Sequence, residues 1–264
     1  LKGEKQMLRS MYAGVSGMKG FQTKLDVIGN NIANVNTIGY KKSTINFQDL
    51  LSQNLSSSGA NPIQVGLGST TSAINVVHTP GSSMTTGDGK DLTIIGDGFF
   101  VVQNPAANGS QYLTRAGNFV VEADGDLVTT QGYNVLNSAG QKITINPATY
   151  DSFTIDRLGE VKGKLPNGTE QSIGFIGISS PPNPTGLRKF GGSLYELTTK
   201  SGAGPIGPAA DQNTEIGAGM LEMSNVDLTE EFTEMIIAQR GFQANSRTIT
   251  TSDEILQEVV NLKR

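Results

Sequence analysis

The chain has 264 residues, enough for one large or two modest domains. Charged residues make up 17 % and the net charge is −4, which argues against a basic nucleic-acid surface. There are no cysteines, so a disulfide framework and thiolate chemistry are excluded, and 33 glycines point to a turn-rich β protein with a thin, tryptophan-free core.

The N-terminal region, 8–35, reads as an amphipathic helix. Stepping by three and four from Leu8 gives Met11, Val15, Met18, Gln22, Leu25, Gly29 and Ile32. One column of that stripe, Met11, Met18, Leu25 and Ile32, is fully apolar, the spacing of a coiled-coil seam. Gly14, Gly17, Gly20 and Gly29 each cost about 1 kcal/mol relative to alanine, so the helix needs a partner surface. The run Asn30, Asn31, Asn34, Asn36, Thr37 and Gly39 ends it, because Asn and Gly tolerate the left-handed conformation of helix termini.

Between 40 and 90 the character is mixed. Phe47, Leu50, Leu51 and Leu55 suggest a short helical patch, SSSGANP (56–62) a loop, and 63–79 an extended stretch. From Leu92 to about Thr198 strands and turns alternate. LTIIGDGFFVV (92–102) reads as two strands around a Gly-Asp-Gly hairpin turn, and FVVEADGDLVTT (119–130) as a hairpin with Asp124-Gly125 at its tip. Asn167-Gly168 marks another tip within 153–178. SPPNPTG (180–186) cannot lie inside a sheet, and SGAGPIGPAADQN (201–213) reads as a flexible linker.

The C-terminal segment opens with Asp227 and Glu230 in a capping-box pattern, followed by a helix roughly 50 Å long. Its stripe contains the apolar column Leu228, Met235, Phe242, Ile249 and Leu256, beside Phe232, Gln239, Ser246, Asp253 and Val260. The later part, through Lys263 and Arg264, is enriched in positive charge. Two such helices at opposite ends predict a chain that pairs its own termini and packs them against copies of itself. The expected class is α+β, with the terminal helices paired as an α-helical coiled coil around a β-rich middle domain of hairpins. The expected division is an N-terminal helix at 1–40, a connecting segment at 41–80, an outer β domain at 81–215 and a C-terminal helical part at 216–264.

No catalytic constellation emerges. The GDG and GDGK strings lack the spacing of a phosphate-binding loop, and Glu122, Asp124 and Asp126 do not match a calcium loop. His78 is the single histidine and no GxSxG elbow accompanies it. No cofactor or metal is expected. No stretch reaches the ~18 apolar residues of a membrane helix, and the N-terminal residues do not have the pattern of a cleaved secretion signal.

LDVIGNNIANVNTIGYKK (25–42) and SNVDLTEEFTEMIIAQRGFQANSRTITTSDEILQEVVNLKR (224–264) together resemble the two terminal signatures of the bacterial flagellar axial proteins, the rod, hook and hook-associated family. DLTIIGDGFFVV (91–102) and YLTRAGNFVVEADGDLVTTQGY (112–133) resemble its middle region. The family begins close to Met7, which leaves Leu1–Gln6 as an upstream extension. Asn30, Asn31, Asn34, Gly39 and Asn225 carry the signature. The resemblance implies a helical homopolymer whose paired helices line an export channel, delivered by the flagellar type III export apparatus. It also implies an axial neighbour on each side: a distal rod protein below, a hook cap protein during growth and a hook–filament junction protein above. It implies no nucleic acid, no membrane insertion and a location in the flagellum, outside the cell after export. The strings LDVIGNNIAN and TTSDEILQEVVNLKR favour a short hook subunit, a curved torque-transmitting joint, whereas the length suits the alternative, a distal rod subunit. A monomeric secreted binding module and a β-rich hydrolase are the more remote readings. On the self-assembly reading, replacing Met235 and Phe242 with Asp abolishes polymerisation and leaves the β domain folded; tubes of normal appearance from that variant would overturn it.

Overall fold

A computed structural model describes residues 2–50, 53–56, 63–106 and 109–262. The loop expected at 56–62 and the final basic residues Lys263 and Arg264 lie almost wholly outside them. The described residues gather into two compact units. One holds the helices, with Ser43–Val77 between them in sequence; the other holds 34–42 and 78–225.

The helical unit contains α1 (Lys2–Ala33) and α2 (Leu228–Leu262). Asp227 caps α2: its Oδ1 accepts the Thr229 and Glu230 backbone N–H groups at 2.8 and 3.4 Å. Glu230 and Glu231 sit at the positive end of the helix dipole. The helices run antiparallel. Asn31 meets Glu231, Lys24 meets Glu234, and Gly17 and Gly14 face Asn245 and Ile249.

Small residues set how closely these helices approach. A Cβ on Gly17 would stand 2.9 Å from the Asn245 amide, and one on Gly241 only 2.5 Å from the Phe21 ring. Two of the glycines that weaken α1 in isolation, Gly14 and Gly17, therefore make the groove into which α2 fits. The contact face of α1 runs through Gly14, Gly17, Phe21, Lys24, Ile28 and Asn31. That of α2 runs through Glu231, Met235, Ala238, Gly241, Asn245 and Ile249. The α1 positions alternate by three and four, whereas the α2 positions depart from that alternation at Gly241.

Also in this unit, Ser43–Asp49 pairs antiparallel with Ser69–Val76. The helical patch expected over Phe47, Leu50, Leu51 and Leu55 is not formed: Phe47 lies in this strand, where Ile45 and Phe47 share one face, Leu55 lies in the strand Gln53–Ser56, and Leu51 falls outside the described residues. Phe47 lies over Gly20, whose missing Cβ leaves room for the ring, and packs beside Phe21 at 6.4 Å.

The β unit is built, among its described residues, around a nine-stranded antiparallel sheet. Its main path runs 188–191, 194–196, 111–114, 99–103, 134–135, 127–129 and 119–121. A three-stranded sheet, 152–155, 160–164 and 170–175, adds the second layer of the core. Leu92, Phe100, Leu127, Val135, Val161 and Ile216 are fully buried where these elements meet. The hairpin tips at Asp124-Gly125 and Asn167-Gly168 are present, with the glycines at φ +86° and +78°.

Three features differ from the sequence reading. Leu92–Ile95 does not pair with Phe99–Gln103 across the Gly-Asp-Gly turn; it pairs with Glu215–Ala218 in a separate sheet. Gly96 and Gly98, at φ +121° and +136°, give a wide bend rather than a hairpin. The stretch 201–213 is ordered, with Ile206–Gly207 joined to the main sheet and Ser201 buried. Residues 216–222, expected with the C-terminal helical part, belong to the β unit, in the strands Glu215–Ala218 and Met220–Glu222.

The seam geometry gives a paired test. Gly241→Ala drives a methyl into Phe21 and lowers stability by roughly 1–2 kcal/mol despite the better helix propensity of alanine. Gly29 has nothing within 4 Å of an added Cβ, so Gly29→Ala raises stability by up to about 1 kcal/mol. Thermal melts followed by far-UV circular dichroism read both, and the two shifts have opposite sign.

Candidate assembly surface and signature network

The helix pair satisfies one face of each helix and leaves others bare. On α2, Leu228, Phe232 and Ile236 follow one another at four-residue spacing and are 39, 49 and 59 % exposed. Ile237, Ile255 and Val260 are exposed as well, as are Tyr12 and Val15 on α1. So much apolar surface along a single helix pair is the pattern of a binding face.

The residues expected to carry assembly divide between seam and surface. Met11, Met18, Leu25 and Ile32 are half-buried along the flank of α1, and Met235, Ile249 and Leu256 are half-buried on α2. Leu228, Phe232 and Phe242 are exposed. Along that column exposure alternates before it settles: Leu228 and Phe242 are exposed, whereas Met235, Ile249 and Leu256 are half-buried. A straight helix drifts about 20° per heptad against a seven-residue repeat. The companion column weakens at Gln239, Ser246 and Asp253, polar positions expected to face solvent, a lumen or a neighbouring subunit. Gln239, Asp253 and Val260 are exposed, and the helix contacts its partner instead through Glu231, Ala238, Asn245 and Ser252, small or polar residues that apolar periodicity does not reveal.

The signature asparagines act as backbone substitutes. Asn31, buried at the end of α1, donates from Nδ2 to the Ser43 carbonyl at 2.9 Å and accepts the Ser43 N–H on Oδ1 at 3.0 Å. Its Nδ2 also reaches Glu231 Oε1 at 3.1 Å, fixing both helices and the first strand at one point of the helical unit. Asn30 is exposed. In the β unit, Asn34 accepts from the Thr37 hydroxyl at 3.1 Å and closes the turn that follows α1. Asn225 Oδ1 accepts the Lys42 N–H at 2.7 Å, and its Nδ2 donates to the Thr79 carbonyl and hydroxyl. Gly39, at φ +66°, donates its N–H to the Glu222 carbonyl at 2.8 Å, and a Cβ there would stand 2.5 Å from the Ala116 nitrogen.

At the centre of these contacts is a charge cluster that the motif reading overlooked. Glu222 is 1 % exposed. Its Oε1 accepts from Lys41 Nζ and from the Gly81 N–H, and its Oε2 from Arg115 Nη1 at 3.2 Å. Lys41 also donates to the Thr79 carbonyl, and Arg115 to the carbonyls of Ile94 and Gly96. Burial pulls the Lys41 ammonium below its usual pKa, and the neighbouring Glu222 carboxylate opposes that shift. A cleft of about 390 Å³ lies beside the same loop, lined by Tyr40, Asn118, Gln131, Lys189 and Ser193 among others. Among the described residues no group of three metal-ligating side chains occurs, and no helix is long and apolar enough to cross a membrane.

Comparison with known proteins matches three family models along the chain. They are a flagellar basal body rod protein family over residues 11–41, the flagellar hook protein FlgE/F/G D1 domain over 93–163, and the flagellar basal body rod FlgEFG protein C-terminal family over 218–262. The flagellar basal-body rod protein FlgG of Bacillus subtilis is 51 % identical, the match covering 98 % of this chain and 100 % of the relative. In Borreliella burgdorferi, FlgG is 36 % identical over an alignment of 271 residues covering 98 % of this chain and all of that protein. The hook protein FlgE of the same organism is 28 % identical over an alignment of 444 residues covering 97 % of this chain and all of FlgE.

The cluster yields a stability prediction. Glu222→Gln leaves Lys41 and Arg115 buried without their counter-charge and destabilises the β unit by about 3–5 kcal/mol. Urea unfolding followed by the near-UV signal of the tyrosines measures it; a loss below 1 kcal/mol would mean that water or another group compensates the cations.

Proposed function

Because the chain belongs to the flagellar rod and hook family of axial structural proteins, we propose that it is the distal rod subunit of the flagellar basal body. The observation that carries this is end-to-end correspondence with rod proteins at the same length. A hook relative aligns only by opening the match to 444 positions. The strings that favour the hook keep that as the second reading. In the β unit, Asn134–Val135 and Ser152–Ile155 are joined by a short connection, which leaves no room for an additional outer domain.

The rod is a mechanical element, not an enzyme. Copies of the subunit contact one another head to tail through unlike surfaces, and a rotation that does not close generates a helical tube. In this reading α1 and α2 act as a two-stranded coiled coil lining the export channel, and the exposed strip Leu228, Phe232 and Ile236 is covered by neighbouring copies. Burying such a strip contributes about 25 cal/mol per Å² of apolar surface, repeated at every subunit. The β unit lies outside the tube. Delivery through the flagellar type III export apparatus and contacts with the hook and its associated proteins belong to the same proposal.

Electron microscopy of basal structures from a deletion strain tests it. Loss of the distal rod together with the hook supports the rod subunit, whereas a retained rod with only the hook missing assigns the chain to the hook. Complementation with Phe232→Asp plus Ile236→Asp is expected to leave a folded subunit and no tube, since both side chains face outward in the protomer.

A further inference from the structure

His78 is the single histidine of the chain, and the assembly reading gives it no role. It stands where the chain re-enters the β unit. Its ring lies edge-on to Phe99 at 5.5 Å and to Tyr195 at 5.4 Å, and those two rings are 5.7 Å apart. The three form a closed aromatic cluster against the main sheet. Both ring nitrogens are buried, and neither meets the geometry of a hydrogen bond among the described residues.

The charges around it are unfavourable for a further cation. Lys41 comes from the loop after α1, Arg115 from the end of strand Gln111–Thr114, and Lys189 from strand Arg188–Gly191. Arg115 itself stacks over the Phe99 ring at 5.4 Å. The carboxylate of this region, Glu222 on strand Met220–Glu222, is already held by Lys41, Arg115 and the Gly81 N–H. The Tyr195 phenol is pushed upward by burial and stays neutral. A protonated imidazole in this cage meets no free anion, and the acceptor beside it, the Pro184 backbone carbonyl, is not in hydrogen-bond geometry.

We propose that His78 is an acid-operated latch. The neutral ring closes the Phe99–Tyr195 cage and holds its own segment, 78–81, on the sheet; the protonated ring leaves the cage and releases that segment. Burial first, then the cations Lys41, Arg115 and Lys189, push its pKa down to about 4, with the Pro184 backbone opposing weakly. The sign follows from linkage. The folded-state value lies below the ordinary 6.5, so the latch contributes fully above about pH 6.5 and is lost as pH falls through about 4.

With one histidine, the ring resonances of the unassembled full-length chain are unambiguous in an NMR titration. The expected result is a midpoint near 4, accompanied by loss of the tyrosine near-UV signal over the same range. His78→Phe keeps an aromatic ring in the cage without a titrating group, and its acid transition moves to lower pH. A histidine that titrates near 6.5 with unchanged aromatic signals overturns the latch, as does a His78→Phe chain with the wild-type acid midpoint. The first measurement needs no variant, so a misfolded substitution does not decide the matter.

Discussion

Everything in the β unit that involves the two signature segments turns on one buried carboxylate. Removing an ion pair from water costs several kcal/mol per ion, and only good geometry with further hydrogen bonds returns that cost. Glu222 meets this condition with two cations and the Gly81 N–H, while its main-chain carbonyl receives Gly39. Lys41 and Arg115 spend their remaining donors on the carbonyls of Thr79, Ile94 and Gly96. Such a cluster adds less net stability than an apolar core of the same volume, but it tolerates few alternative arrangements. It therefore specifies which loop meets which strand.

The helical unit solves a different problem by different means. Its seam combines glycine, alanine, serine and asparagine with a few larger side chains such as Phe21 and Ile28, and the backbones approach closely at Gly14, Gly17 and Gly241. Asn31 fixes the register at one end by standing in for a strand neighbour of Ser43 and by holding Glu231. Other large apolar residues, Phe232 and Ile236 among them, are left on the outside. A helix pair built in this way is a thin core by itself and leaves apolar side chains exposed. The half-buried Met column and the bare Phe232–Ile236 strip are two parts of that one arrangement.

Much of this is legible in the sequence, and the failures have physical reasons. The two terminal helices, the Asp227 cap and the glycine-tipped hairpins follow from periodicity and turn chemistry. Whether the strand after the Gly-Asp-Gly bend returns to its neighbour does not follow, because hairpins and sheet changes share the same turn residues; the partner Glu215–Ala218 lies far along the chain. The stretch 201–213 reads as a linker from its glycines and prolines, yet bonding of Ile206–Gly207 to Ile178–Ser179 orders it. The α2 seam is legible only in part: Met235 and Ile249 follow from apolar periodicity, whereas Glu231, Gly241 and Asn245 are small or polar and do not. Lys41, Arg115 and Glu222 look like ordinary solvated charges in one dimension, and only the fold removes them from water.

The separation of those charges along the chain has a kinetic consequence. Lys41 and Glu222 are 181 residues apart, and Lys42 and Asn225 are 183 apart. Closing a loop of that length costs on the order of 5 kcal/mol in chain entropy before any contact repays it. Contacts of such high order place a domain among the slow folders. A chain arriving from its N-terminus holds Lys41 early and lacks Glu222 until most of the polypeptide has followed. The β unit thus has a built-in delay: its last strand is also its keystone, and folding is completed only when nearly the whole subunit has been delivered.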